Sequence, residues 1–231
     1  MVSRVLIIAI IAGLIAGITV TGVQLLHVVP LINKAETYES ALSAEAHVHK
    51  RTSQVSRSHD HADWVPKDGL ERTLFTLLAN VLTAVGFGLL LNAALAIYGR
   101  PTSLKQGVIW GAAGFAVFAL APAVGLPPEL PGMQAAGLFE RQTWYFGTIF
   151  STAGGLAMAV FLTHWTFRAL GAILILVPHA IGAPHPAEIG GNTPPELAAM
   201  FVMASLLTAA VLWVVLGGIS GYLHKRFAES V

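Results

Sequence analysis

Residues Val5–Val29, VLIIAIIAGLIAGITVTGVQLLHVV, run for 25 residues without a charged side chain. In helix such a run is roughly 37 Å long at 1.5 Å per residue, enough to cross a bilayer core that needs about 20 apolar residues. A signal-peptide core is shorter, about 7–15 residues, and ends in a small-residue cleavage pattern. No A-x-A pattern follows here, so the run reads as a retained first span. Working outward from it, the same reading recurs at Leu74 to Tyr98, Gly107 to Leu126, Trp144 to Thr163 and Leu197 to Leu223. The fold class is therefore all-α: a polytopic transmembrane helical bundle, treated as a single integral membrane domain over residues 1–231.

Composition agrees. Of 231 residues, 55% are hydrophobic and 11% charged, against roughly a quarter charged in a soluble domain. The net charge of +1 offers no basic surface for nucleic acid, and the absence of cysteine removes disulfides and thiolate metal sites. Any metal would be held by imidazole and oxygen.

A sixth stretch, Phe167 to Gly182, is shorter and contains Pro178. It reads as a short span, a re-entrant hairpin or the end of a kinked fourth helix. Charge placement favours a span. With a cytoplasmic N-terminus and six crossings, the inner segments hold Arg4, Arg100, Lys105, Arg168, Lys225 and Arg226, and the short outer loops hold only Arg141. That follows the positive-inside tendency. The long first loop, residues 30–73, departs from it with six Lys/Arg against seven Asp/Glu.

Small residues at i, i+4 let helices approach closely. Gly13 and Gly17, Gly107 and Gly111, and Gly217 and Gly221 form such pairs and are read as packing positions. Trp110, Trp144, Trp165 and Tyr222 lie at span ends, where interfacial anchors are expected. Asn80 and Asn92 sit inside the second span, and Gln24 and His27 in the outer half of the first. Polar groups in hydrocarbon turn inward to find partners, so these are interhelical bonds or part of a polar path. No Asp or Glu lies well inside a span, which argues against a carboxylate proton relay.

The residues with metal chemistry gather in the loops. The first loop contains His47 and His49, then His59, Asp60 and His61. His-x-His puts two imidazoles within reach of one ion, and imidazole suits zinc, copper, nickel, iron and cobalt ions. The plain alternative is a solvated loop whose histidines titrate near pH 6.5. In the six-span arrangement His27, His179 and His185 join the loop histidines on the outer face, whereas His164 and His224 fall inside. His179 and His185 lie in a Pro- and Gly-rich stretch that restricts the backbone. Glu129, in the stiff loop Pro127–Gly132, adds one carboxylate and is equally compatible with a structural role. Metal capture through imidazole predicts that uptake falls below about pH 6, as the ligands protonate.

Other chemistries lack support. There is no G-x-x-x-x-G-K-[ST] phosphate loop and no H-E-x-x-H, nor a nucleophile elbow. No enzyme is expected.

The stretch Gly111–Pro122 running into Gly125–Gly132 resembles the CbtA family. Val29-Pro30-Leu31-Ile32 leading to Glu36 and Tyr38-Glu39, and Pro178-His179 with Gly182–Pro184, fit the same pattern. The resemblance implies a membrane subunit of a cobalt uptake system in the bacterial inner membrane, tied to cobalamin metabolism. It also implies a small single-span, His-rich CbtB partner, and five spans rather than six. It supplies no ligand set. No tightly bound cofactor is expected; cobalt(II) or nickel(II) is the transported ion, and a homo-oligomer stays open. Nickel/cobalt permeases use H-x-x-x-x-D-H within a helix, which His59-Asp60-His61 does not match. A scaffold or metal-sensing subunit that does not conduct is the alternative function.

Overall fold

The structure is a computed structural model that describes residues 2–38, 66–67, 69–100, 102–186 and 193–229. The helices in chain order are α1 (Val2–His27), α2 (residues 29–38), α3 (Leu70–Tyr98), α4 (Leu104–Gly125), α5 (Leu138–Phe161), α6 (Trp165–Ile181) and α7 (Pro195–Glu229). Five of them, α1, α3, α4, α5 and α7, are long and apolar enough to cross a membrane. The fold is the expected helical membrane bundle.

Local sequence sets the ends. Gly99 adopts φ 67 and returns its N–H to the Leu95 carbonyl, a left-handed cap that closes α3. Ser103 and Gln106 form a capping box that opens α4. The His164 ring accepts from the Thr166 N–H at the start of α6. Several helices outrun their apolar cores because the extra turns are polar and lie at the ends: α5 begins at Leu138, ahead of Glu140 and Arg141. The first loop likewise opens with a helix, α2, which apolar length could not reveal.

α1 shows how these helices pack. Ala9, Ala12, Gly13, Ala16 and Gly17 are buried, while Ile10, Ile11, Leu14, Ile15 and Ile18 point outward. Mostly small residues inside, with Ile8 and Val20 as the branched apolar exceptions, and branched ones outside is the arrangement that suits lipid, which gives no hydrophobic reason to bury Leu. A methyl group on Gly13 or Gly17 would stand 2.6 Å from the Cα of Val85 or Val81. Gly107 and Gly111 of α4 meet Gly217 and Gly221 of α7 backbone to backbone. Gly155 and Gly171 join α5 to α6 in the same way, a contact without a G-x-x-x-G signature. The core shared by α1, α3 and α7 holds Ala12, Ala16, Ala84, Leu91, Leu95, Trp213 and Leu216.

The position of α6 follows from parity. Arg4 Nη2 donates to the His224 carbonyl at 2.7 Å, so the start of α1 and the end of α7 share one end of the bundle. A chain that returns to its starting end makes an even number of passes along the bundle, so α6 adds one pass to those of the five long helices. It runs antiparallel beside α5, with Gly171 against Gly155 and Pro178 beside Trp144. Pro178 sits in its last turn, where little helix follows the missing N–H. The segment is a separate short helix, neither a re-entrant hairpin nor a continuation of α5. At 17 residues it spans about 25 Å.

The opposite end is capped. Leu130 from the Pro-rich loop packs on Val28, Ala35, Leu197 and Phe201. Arg72 and Glu36 pair at 2.7 Å, joining α2 to the first turn of α3. This is called the capped end below.

Candidate functional site

Antiparallel alternation delivers four of the sequence-predicted residues to the capped end. His27 closes α1 and is exposed, lining a shallow groove with Leu31, Met200 and Met203. His179 lies in the last turn of α6, half-buried, its ring edge-on to Trp144 with centroids 5.8 Å apart. Its Nδ1 is buried without a hydrogen-bond partner. His185 is exposed in the segment after α6. Glu129 pairs with Arg141 at 3.0 Å, both side chains about a third exposed or less. His47, His49, His59, Asp60 and His61 lie outside the described residues. Among the described residues, no group of three or more His, Asp or Glu side chains is placed to hold a metal ion. The structure brings these groups to one end but not to one point.

The two asparagines join helices. Asn80 Nδ2 donates to Thr21 Oγ1 at 3.0 Å and to Gln24 Oε1 at 2.7 Å. Asn92 is fully buried and donates to the Gly88 carbonyl and to Ser220 Oγ, while its Oδ1 lies 2.9 Å from His224 Nε2. Since the amide nitrogen is committed as donor, Oδ1 accepts and His224 Nε2 carries the proton. Asn92 is an interhelical bond; nothing of it lines a path. Two of the tryptophans read as anchors also pack internally. Trp110 lies against Tyr98 and Phe161, and Trp144 donates to the Pro178 carbonyl at 3.1 Å. Trp165 and Tyr222 are exposed, as anchors require.

A concave feature at the capped end lies where α4, α5 and α7 meet. It is an open cavity of about 460 Å³, bounded by Phe118, Pro122, Glu129, Arg141, Tyr145 and Ser205, among others. Clefts of this size with a few convergent polar groups, between helices of a bundle, are where small ligands bind. Its wall on α4 is irregular for a reason written in the sequence. Pro122 has no N–H to offer the Phe118 carbonyl four residues earlier, and its ring crowds that carbonyl. Residues Ala116–Leu120 form a π turn, with the Ala121 N–H reaching back to Ala116 O. The freed Phe118 carbonyl accepts from the Tyr145 hydroxyl at 3.0 Å. Phe118 itself stacks on Trp213, centroids 5.5 Å apart, and touches Phe87. π turns concentrate at functional sites.

Sequence reading passed over this cavity. Arg141 counted only as a loop charge, and neither Tyr145 nor Ser205 carries a motif. The pairing of Glu129 with Arg141 crosses from a loop to a helix, with no fixed register between them. Pro122 and the Glu129 carboxylate were the signals available.

Neither the curated proteins nor the solved structures gave a match to this chain. A family model described as "Probable cobalt transporter subunit (CbtA)" matches residues 2–225, and the chain belongs to that family.

Proposed function

We propose that this chain is a membrane subunit that admits a divalent transition-metal ion, cobalt(II) foremost and nickel(II) next, through a bacterial inner membrane. The observation that carries the reading is the sharing of one end by His27, Glu129, His179 and His185 with both flanks of the His/Asp segment. Glu36 and Arg72, which bracket residues 39–65, pair across that same end. In this reading the N-terminus is cytoplasmic and the capped end faces outward. His47, His49, His59, Asp60 and His61 collect the ion loosely, and the histidines of the capped end receive it. The partner is a small single-span, His-rich CbtB-like subunit, in keeping with a family described as a subunit. Metal ions are cargo here; no tightly bound cofactor and no catalysis are required.

The second reading is a scaffold or metal-sensing subunit that does not conduct. The scattering of potential ligands among the described residues favours it. Cobalt flux into liposomes carrying the purified chain, alone and with its small partner, separates the two. Transport predicts flux that saturates with cobalt and drops several-fold when His47, His49, His59 and His61 are all replaced by alanine. Undiminished flux in that variant removes the collecting role, and no flux with either preparation removes transport.

A further inference from the structure

We propose that the cavity between α4, α5 and α7 is a site for a hydrated divalent cation, in which the ion and Arg141 compete for the Glu129 carboxylate. The proposal deepens the transport reading by placing the ion at the mouth of a cleft between three helices, and it rests on that reading only for the identity of the cargo.

Three observations support it. The first is size: six waters at about 30 Å³ each occupy about 180 Å³, so a hexahydrated ion fits within the cavity of about 460 Å³. The second is chemistry. The boundary offers one carboxylate and the neutral oxygens of Gln142, Tyr145 and Ser205. Those groups accept hydrogen bonds from metal-bound water. They are too few to replace the water shell, consistent with the lack of any three-residue ligand group among the described residues. The third is depth. Phe118 lies eight positions before Leu126, about 12 Å along α4 at 1.5 Å per residue. An ion whose waters meet Glu129 sits at the mouth of this cleft, with the π turn and the Phe118–Trp213 stack deeper along it.

Without an ion, Glu129 is neutralised by Arg141 at 3.0 Å. A carboxylate between helix ends is costly to leave unpaired, so the guanidinium holds its place. An arriving divalent ion takes over as counter-charge and the guanidinium is released toward water. The pair then reports occupancy: α5, which carries Arg141, is tied to the Glu129 loop when the site is empty and released when it fills.

The competition makes a prediction that a merely structural ion pair does not. A divalent ion about 6 Å from a guanidinium in a water-like dielectric is repelled by an amount worth roughly tenfold in affinity. Equilibrium dialysis of cobalt chloride against the full chain in lipid nanodiscs should show Arg141→Gln tightening one saturable site about tenfold. Glu129→Gln should weaken that site by a similar factor or abolish it. Binding to the His/Asp segment should stay unchanged in both variants. Weaker or unaltered binding in Arg141→Gln overturns the proposal, as does unaltered binding in Glu129→Gln. Should Glu129→Gln fail to give a monodisperse protein, Arg141→Gln decides alone. Flux measured in parallel keeps the two readings apart. The expected shifts in a protein that carries no flux would leave this site standing and remove transport. Flux that persists without the shifts would do the reverse.

Discussion

Replacing Gly107 with alanine adds a single methyl group at one of the tightest points of the α4–α7 contact. That methyl would lie 2.8 Å from the Gly221 Cα and closer still to the Gly217 carbonyl oxygen. Both obstacles are backbone, so no rotamer change relieves the clash and the helices must part. Overpacking of this kind costs about 1–3 kcal/mol, and rigid obstacles put it near the upper figure. Alanine recovers about 1 kcal/mol of helix propensity relative to glycine, leaving a net loss of about 2 kcal/mol. Gly86 of α3 is the natural control, since a methyl there meets nothing within 4 Å. Gly86→Ala should be neutral or stabilising by up to about 1 kcal/mol. The two variants should therefore differ by about 3 kcal/mol, a quantity in which errors of the reference state cancel. Unfolding in mixed micelles with increasing dodecyl sulfate, followed by circular dichroism, measures the difference. Equal midpoints for the two variants would refute the claim that α4 and α7 are held by backbone proximity.

Two further outcomes follow from the bundle. Asn92→Ala removes bonds to Ser220 and His224, each worth about 0.6 kcal/mol and at most about 1.7 in a membrane interior. Stability should fall by about 1–3 kcal/mol with cobalt flux per folded protein unchanged; reduced flux at full stability would restore the polar-path reading. The chain has no cysteine, so single substitutions can report sidedness. Lys34→Cys and Glu140→Cys should react with an impermeant maleimide in intact spheroplasts, whereas Lys105→Cys, Arg168→Cys and Arg226→Cys should react only after lysis. Reaction of Arg168→Cys and Arg226→Cys on opposite sides would show that α6 does not cross.

How far reading the chain could reach depended on the range of the interaction. Apolar run length is a local property, and the bilayer selects for it directly, so the membrane-helix class and the long helices were legible. The packing glycines were legible too, because i, i+4 spacing puts two residues on one face whatever the partner; Gly155 and Gly171 escaped because neither has a glycine four residues away. Parity was undecided at Phe167 to Gly182. Its length and Pro178 fit three arrangements, and the bond from Arg4 to the His224 carbonyl separates them by joining residues at opposite ends of the sequence. The role of Glu129 was open in the same way, and its pairing with Arg141 arises only once the Pro-rich loop has folded against α5.

Hydropathy and residue spacing alone therefore established a greasy bundle of helices. The partners of Asn80, Asn92 and Glu129, the placement of α6 beside α5 and the cavity beside Pro122 came from the packed helices. The physical reason is that lipid reads each helix separately through its own side chains. A hydrogen bond, an ion pair or a cavity wall needs two or three helices brought together at a matching depth, and no local pattern encodes that depth.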